Sequence, residues 1–572
     1  MPRALILLLA ASFTAVPARS VFSAESAAAV LRRPVALVAQ PDRLLVANRR
    51  SGTITVIDFE TSSVFAEHHV AARIADMTAV PGQRAVFVAD DLQHRLIKVS
   101  IEGEVLSTTA VAELPPSASC LTVSKDRREL FVSARWSRCV TVTGFDDRFE
   151  RAKASHAIAL PFAPQEMLLL NSDATLLVAD AFGGQIAVID VVERKLLGVH
   201  KLSGHNIRGM ATSGDGSRVL VSHQRMDPLA RADYEDLHWG SLVANAVRVL
   251  DVEQLNGQDT ESLAEGWLDY FGGIGSATGD PGTVVTGPSG LIAVALSGIG
   301  EIAIRRGGYA TRLPVGRGPE AMAVSGDRLF VANRFDDSVS VIDLLLGKSV
   351  RTISLGPAPE LSAIDRGELL FFDARLSHDG WMSCHSCHTD GHSSGLLIDT
   401  LGDGDYGAPK RVPSLLGTRN TGPWAWNGSV PTLAEQVRKS VTTTMHGDAI
   451  SAEQTTDLVA YLESLQPAPA AHRLSETLTT RGQAAFKRLG CVQCHSGPNF
   501  TSPGTFDVGL GDEKNRLLFN PPSLRGVGQR DRLFHDGRAR GLEDVIGRVR
   551  HRLDEPLSID ESAALLAFLR SL

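Results

Sequence analysis

The chain has 572 residues, 43% apolar and 21% charged, which excludes a disordered chain and asks for more than one core. A net charge of −8 excludes a strong nucleic-acid footprint, and 52 glycines against 6% aromatics suit a turn-rich β architecture. The N-terminal stretch "MPRALILLLAASFTAVPARSVFSAES" places Arg3 before an apolar run from Ala4 to Ala11, with small residues near Ala18 and Ser20. This pattern predicts a signal peptide over 1–24 and a mature protein exported to a periplasm. The run is shorter than the roughly 20 apolar residues that a span needs, and no later segment is long enough, so no membrane span is expected.

Three passages nearly superimpose: "DRLLVANRRSGTITVID" (Asp42 to Asp58), "ATLLVADAFGGQIAVID" (Ala174 to Asp190) and "DRLFVANRFDDSVSVID" (Asp327 to Asp343). Each is an apolar run, a polar turn and an alternating run, which reads as strand, hairpin turn, strand. Weaker copies, such as "AVFVADDLQHRLIKVS" and "IAVALSGIGEIAIR", bring the total to seven, a spacing typical of propeller blades. The repeats resemble the YVTN-type seven-bladed β-propeller, and the propeller is placed over 30–358. Cys120 and Cys139 fall on the first and third strands of one blade, about 9.6 Å apart by strand spacing, too far for a disulfide. The fifth copy carries an insertion, His223 to Asn245. It reads either as a tolerated surface loop or as an arm that brings His223, His238 and Trp239 towards the second half.

From Asp365 the pattern changes to one helical unit written twice. "DRGELLFFDARLSHDGWMSCHSCH" pairs with "TRGQAAFKRLGCVQCH", "VPSLLGTRNTGPWAWNGSVPTLAEQV" with "PPSLRGVGQRDRLFHDGRARGLEDVI", and "TTDLVAYLESL" with "ESAALLAFLRSL". The units are placed over 361–467 and 474–572, joined by the linker "QPAPAAH". Each holds one C-x-x-C-H: Cys384, Cys387, His388 and Cys491, Cys494, His495. A four-ligand zinc site would want its second pair nearby, and here the only other pair lies in its own copy of the unit. Covalent c-type haem is therefore expected twice, thiols adding to the vinyl groups and His388 and His495 ligating iron. His385 is an x position and points elsewhere.

The helical half resembles the bacterial di-haem cytochrome c peroxidase family, which includes the enzyme that matures the tryptophan cofactor of methylamine dehydrogenase. The resemblance implies a peroxidatic N-terminal haem, an electron-supplying C-terminal haem and a tryptophan between them. The family's "FWDGR…LEEQ" element appears as "AWNGSVPTLAEQ", so Trp426 takes the inter-haem place and Gln436 the distal-pocket glutamine place. Where the family has an acidic residue serving the peroxide, this chain has "TTTMHG". Met445 then ligates iron and closes the site, or His446 moves the proton. No methionine follows "GLEDVIGRVRHRL" in the second unit, so His551 is the expected sixth ligand there. His535 is expected to hydrogen-bond a haem propionate, and His392 is a further distal candidate. Asp399, Asp403 and Asp405 in "DTLGDGD" offer oxygens to a calcium ion, or form a solvated turn.

The expected protein is a periplasmic di-haem c-type oxidoreductase. Electrons would pass from the second haem by way of Trp426 to a peroxide-reactive first haem, with the propeller docking a small redox protein as donor or substrate. The alternatives are a non-catalytic di-haem electron-transfer protein, and a propeller-based ligand-binding module with redox-sensing haems.

Overall fold

A computed structural model describes residues 29–572 except 104, 125, 171–172, 256–265 and 471–474. The expected signal peptide and the end of the linker lie outside the described residues. Seven four-stranded antiparallel sheets come first, each made of four consecutive strands. Their innermost strands are Pro34–Ala39, Ile74–Ala79, Ala118–Ser124, Pro164–Leu169, His205–Thr212, Pro281–Thr286 and Pro319–Ser325. Each touches the next, and the last touches the first, so the sheets are blades of a closed ring. No helix among the described residues is long and apolar enough to cross a membrane.

The blade pattern follows from what covers each strand. Second strands such as Arg43–Asn48, "RLLVAN", are covered on both faces by neighbouring blades and are buried almost throughout. Fully burying one Leu or Val side chain contributes roughly 1.5–3 kcal/mol, so these runs are continuous rather than alternating. Outer strands such as Ser63–His69 touch solvent and are mostly polar. The recurring "VID" ends in an aspartate for a local reason. Asp58, Asp190 and Asp343 each accept a hydrogen bond from the backbone N–H three residues on, of Thr61, Glu193 and Leu346, at 2.7, 2.9 and 2.8 Å. Cys120 and Cys139 lie on the first and third strands of the third blade, and both are free.

Because every blade uses its own four strands, no shared strand closes the ring. Its seam is held by Asp337 of the last blade, whose carboxylate accepts from Arg32 N at 2.8 Å and Arg33 N at 2.7 Å. The first helix of the helical half, Ala363–Phe371, lies across this seam. Its Asp365 pairs with Arg50 of the first blade, and its Glu368 with Arg334 of the last blade at 2.9 Å.

The duplication in the helical half is structural. Helix Ala363–Phe371 packs on Ala452–Ser464, and Glu476–Arg488 packs on Ile559–Arg570. In both pairs the glycine of the repeated R-G meets partner backbone. A Cβ would stand 2.0 Å from Asp457 O at Gly367 and 2.0 Å from Ala564 O at Gly482. Gly482→Ala should therefore cost about 1–3 kcal/mol, the usual scale for overpacking. The denaturation midpoint followed by far-UV circular dichroism checks this, with Gly214→Ala, where an added Cβ meets nothing within 4 Å, as control.

The insertion takes the second of its two readings and reaches the helical half. It carries a short helix, Tyr234–His238, and Asn245 donates to Trp381 O at 2.9 Å. Tyr406 donates its hydroxyl to Ala232 O at 2.8 Å. Of the three residues expected at the interface, His238 meets His378. His223 does not reach across. It is fully buried within its blade, its Nδ1 against Gln224 O, because its strand continues beneath the arm. Trp239 stays exposed.

Candidate functional site

The first C-x-x-C-H stands on a single helical turn, Cys384–Cys387, at the mouth of the propeller. Ser383 begins the turn, and its hydroxyl donates to the buried carboxylate of Asp280, from the sixth blade. Ser386 donates to the other oxygen of Asp280 at 2.6 Å. Burial pushes the Asp280 carboxyl up, and the two serine hydroxyls pull it back. His205 donates Nε2–H to Ser386 O at 2.8 Å. The propeller thus fixes the backbone of the motif. His385 points away from the cavity described below; its Nδ1 accepts from Asp390 N at 3.0 Å. Asp390 in turn pairs with Arg135 at 2.9 Å and Arg208 at 3.1 Å of the propeller.

His388 and His495 are held alike. His388 Nδ1 lies 2.9 Å from Pro413 O, and His495 Nδ1 lies 3.0 Å from Phe500 O. A carbonyl oxygen only accepts, so each Nδ1 carries the hydrogen and each Nε2 keeps its lone pair for a metal. None of the four motif cysteines is in a disulfide, and burial raises their thiols, to about 12 for Cys384 and Cys387.

Cys384, Cys387 and His388 line a mostly apolar cavity of about 310 Å³. It is also lined by Met445, Gln436, Trp426 and, from the second unit, Asn520, Pro522 and Arg530. Met445 is 4% exposed and follows a π-helical turn, Ser440–Thr444, a distortion frequent at functional sites. Gln436 donates to Ser440 Oγ at 3.1 Å while its Oε1 is buried without a partner. Trp426 donates its indole N–H to Arg411 O at 2.9 Å, and Asn520 N donates to Trp426 O at 2.8 Å, so the indole stands where the two units meet.

Two cations in the cavity wall, Arg411 and Arg530, have no carboxylate partner among the described residues. Arg411 donates to Phe534 O and Val412 O, and Arg530 to Ser523 O and Arg525 O. Burial pulls their guanidinium groups down, to about 9 and about 10. Buried charge is costly unless paired, so this wall is built for an anion. Nearby, His535 stacks on Phe519 at 4.0 Å with its Nε2 buried and unpartnered. An apolar slot, two thiols and one imidazole lone pair at one side, and buried cations at another fit a haem with its propionates.

The structure separates the distal candidates. Met445 faces the cavity, whereas His446 does not line it. His446 has left-handed backbone, φ 48°, and its Nε2 meets Ala232 O of the insertion at 3.1 Å. His392 also faces the propeller, against Phe182 at 4.6 Å and Trp136 at 5.3 Å. His551 packs on Phe534 at 5.2 Å with its Nδ1 buried and unpartnered. Burial, and then the nearby His495, push His551 down to about 4. In the acidic loop, Asp403 pairs with Arg516 and Lys410, Asp405 pairs with Lys514 and Arg516, and Asp399 accepts from Gly407 N, so side-chain cations meet Asp403 and Asp405.

A model of the di-haem cytochrome c peroxidase family matches residues 362–488. Cytochrome c551 peroxidase of Nitrosomonas europaea is 27% identical over 265 residues, 36% of this chain and 78% of that one. The helical half carries a di-haem cytochrome c peroxidase domain. Methylamine utilization protein MauG of Methylophilus methylotrophus is 26% identical over 276 residues, 36% of this chain and 81% of that one. Among solved structures, Kuenenia stuttgartiensis hydrazine synthase overlaps 55% of this chain and 96% of its own, at 17% identity and a TM-score of 0.47. The protein is thus a di-haem peroxidase-like oxidoreductase on a seven-bladed propeller. Asp280, Arg411 and Arg530 were not among the residues expected from sequence. No motif marks them, and an arginine or aspartate in a loop reads as surface until its burial is known.

Proposed function

We propose that the protein reduces peroxide at the site of Cys384, Cys387 and His388, with electrons entering at the site of Cys491, Cys494 and His495. Haems bound covalently at the two motifs would supply one-electron transfer and an iron centre at which an O–O bond can be reduced. Reduction of one peroxide to two waters consumes two electrons and two protons. The observation that carries the reading is the cavity itself: one motif, Trp426 and residues of the second unit line it together. Trp426 is the side chain placed to shorten the path between the units. Gln436 offers an unpaired oxygen to orient a bound donor such as peroxide O–H. Arg411 and Arg530 would hold the propionate carboxylates of a haem bound there. His551 offers a second imidazole at the entry site. The N-terminal pattern read as an export signal supports the periplasm as the compartment, where small redox proteins would be donor or substrate. Exposed Tyr234 and Trp239 on the insertion support docking of such a partner at this edge of the propeller.

One observation favours the electron-transfer alternative: Met445, a possible sixth ligand, is the residue that faces the cavity, while His446 is turned out. The test is electron spin resonance and absorption of the purified protein before and after hydrogen peroxide, with mass spectrometry of the denatured chain. Expected are two covalent haem increments and a peroxide-dependent change at one haem only. Haem lost in acidified organic solvent would refute attachment, and two unresponsive haems would refute peroxide chemistry.

A further inference from the structure

Away from the cavity, at the seam between the insertion and the helical half, three donor atoms converge. His238 Nδ1 and His378 Nε2 are 3.0 Å apart, and Asp379 Oδ2 lies 3.6 Å from the first and 3.4 Å from the second. One shared proton accounts for the contact between the imidazoles. The carboxylate distance of 3.6 Å is too long for a hydrogen bond, and 3.4 Å lies outside the usual range. Those three separations have another reading. Ligands at about 2.0–2.1 Å from a tetrahedral zinc lie about 3.3 Å from one another. The triangle of donors has that size.

We propose that His238, His378 and Asp379 bind one zinc-class divalent cation that clasps the propeller's insertion to the haem-bearing half. Two imidazoles and one carboxylate are a donor set that zinc takes elsewhere, with a fourth position left for water. The side chains are 18–27% exposed, so the ion has a way in and water has access to the fourth position. The elements are fixed independently of any ion. Asp379 Oδ2 also accepts from Gly275 N at 2.8 Å, and Tyr234 stacks on His238 with ring centroids 5.5 Å apart. The clasp adjoins the distal loop of the first motif, because His378 N donates to Met445 O at 2.9 Å.

The test uses the full di-haem protein, stripped with a chelator that leaves haem iron in place and then titrated with zinc. Elemental mass spectrometry should give one zinc per chain beside the haem iron. An anomalous difference map at the zinc edge should place it among the three donors. His238→Gln and Asp379→Asn should each weaken binding at least tenfold, since even loss of an outer partner of a ligand costs roughly 10–100-fold. Asparagine keeps the left-handed backbone of Asp379, φ 54°, accessible, so that variant should fold even if the histidine variant does not. Zinc that fails to bind at millimolar concentration, or that binds Asp379→Asn as tightly as the parent, would overturn the proposal. Zinc density at any other place would do the same.

Discussion

If Met445 ligates the first haem's iron, Met445→Ala should turn that haem from six-coordinate low-spin to high-spin and make it react faster with peroxide. Met445 is buried in the cavity that Cys384, Cys387 and His388 line, at the end of the π-helical turn that aims it there. An alanine takes away the thioether without touching the motif. Low-temperature electron spin resonance reads the spin state, and stopped-flow mixing reads the peroxide rate. His446→Ala is the paired measurement. Loss of a true general acid–base typically slows the step by 10²–10⁴-fold. With its ring on Ala232 O, His446 should give a change below about tenfold, and coordination should stay as it is. A slowing on the larger scale would return His446 to the proton-shuttle role. If neither variant alters spectra or rate, this loop is not distal to the haem and the electron-transfer reading takes over.

Asp280→Ala should impair the first haem and spare the second. The substitution removes the one carboxylate that receives both Ser383 and Ser386, and leaves two buried hydroxyls without it, at about 1–3 kcal/mol each. The turn carrying the first motif then loses one of its anchors on the propeller and keeps the His205 contact to Ser386 O. Mass spectrometry of the intact chain should show a fraction carrying one haem increment instead of two. Spectra of the remaining protein should change only in the signals of the first site. Asp280→Asn keeps the shape and one acceptor oxygen, so its loss should be smaller. Full loading with an unchanged first-haem spectrum in Asp280→Ala would show that the helical half holds this motif by itself.

Periodicity exposes what repeats. The blades were legible because each must bury the same faces, which stamps the same apolar runs and the same "VID" turn on successive copies. The helical unit was legible for a similar reason, since Gly367 and Gly482 answer one packing need twice. The motif histidines were legible because attachment chemistry fixes residue order. Trp426, Gln436 and Met445 came from a family pattern, and the cavity contains all three. His446 and His392 could not be placed beforehand, because the direction of a side chain on a loop depends on tertiary neighbours that spacing does not encode. The ion pairs of the acidic loop were hidden for a related reason. Its partners, Lys410, Lys514 and Arg516, lie in other segments, two of them in the second unit, so the charges looked unmet when read locally.

The seam of the ring bears on how such a chain can be inherited. Arg50 and Arg334 stand on the two blades that meet there, and Asp365 and Glu368 grip them from a single helix of the redox half. That helix works as a latch on a ring with no woven closure. A recombination event that swapped the redox half for another would discard the latch together with the haems. Arg50 would then lose Asp365 and Arg334 would keep only Glu320, at 3.6 Å, while Asp337 and the apolar packing of the first blade on the last would still join the ends. Exchange of parts between such proteins would therefore succeed most readily when the cut falls after Phe371, so that the latch travels with the ring it locks.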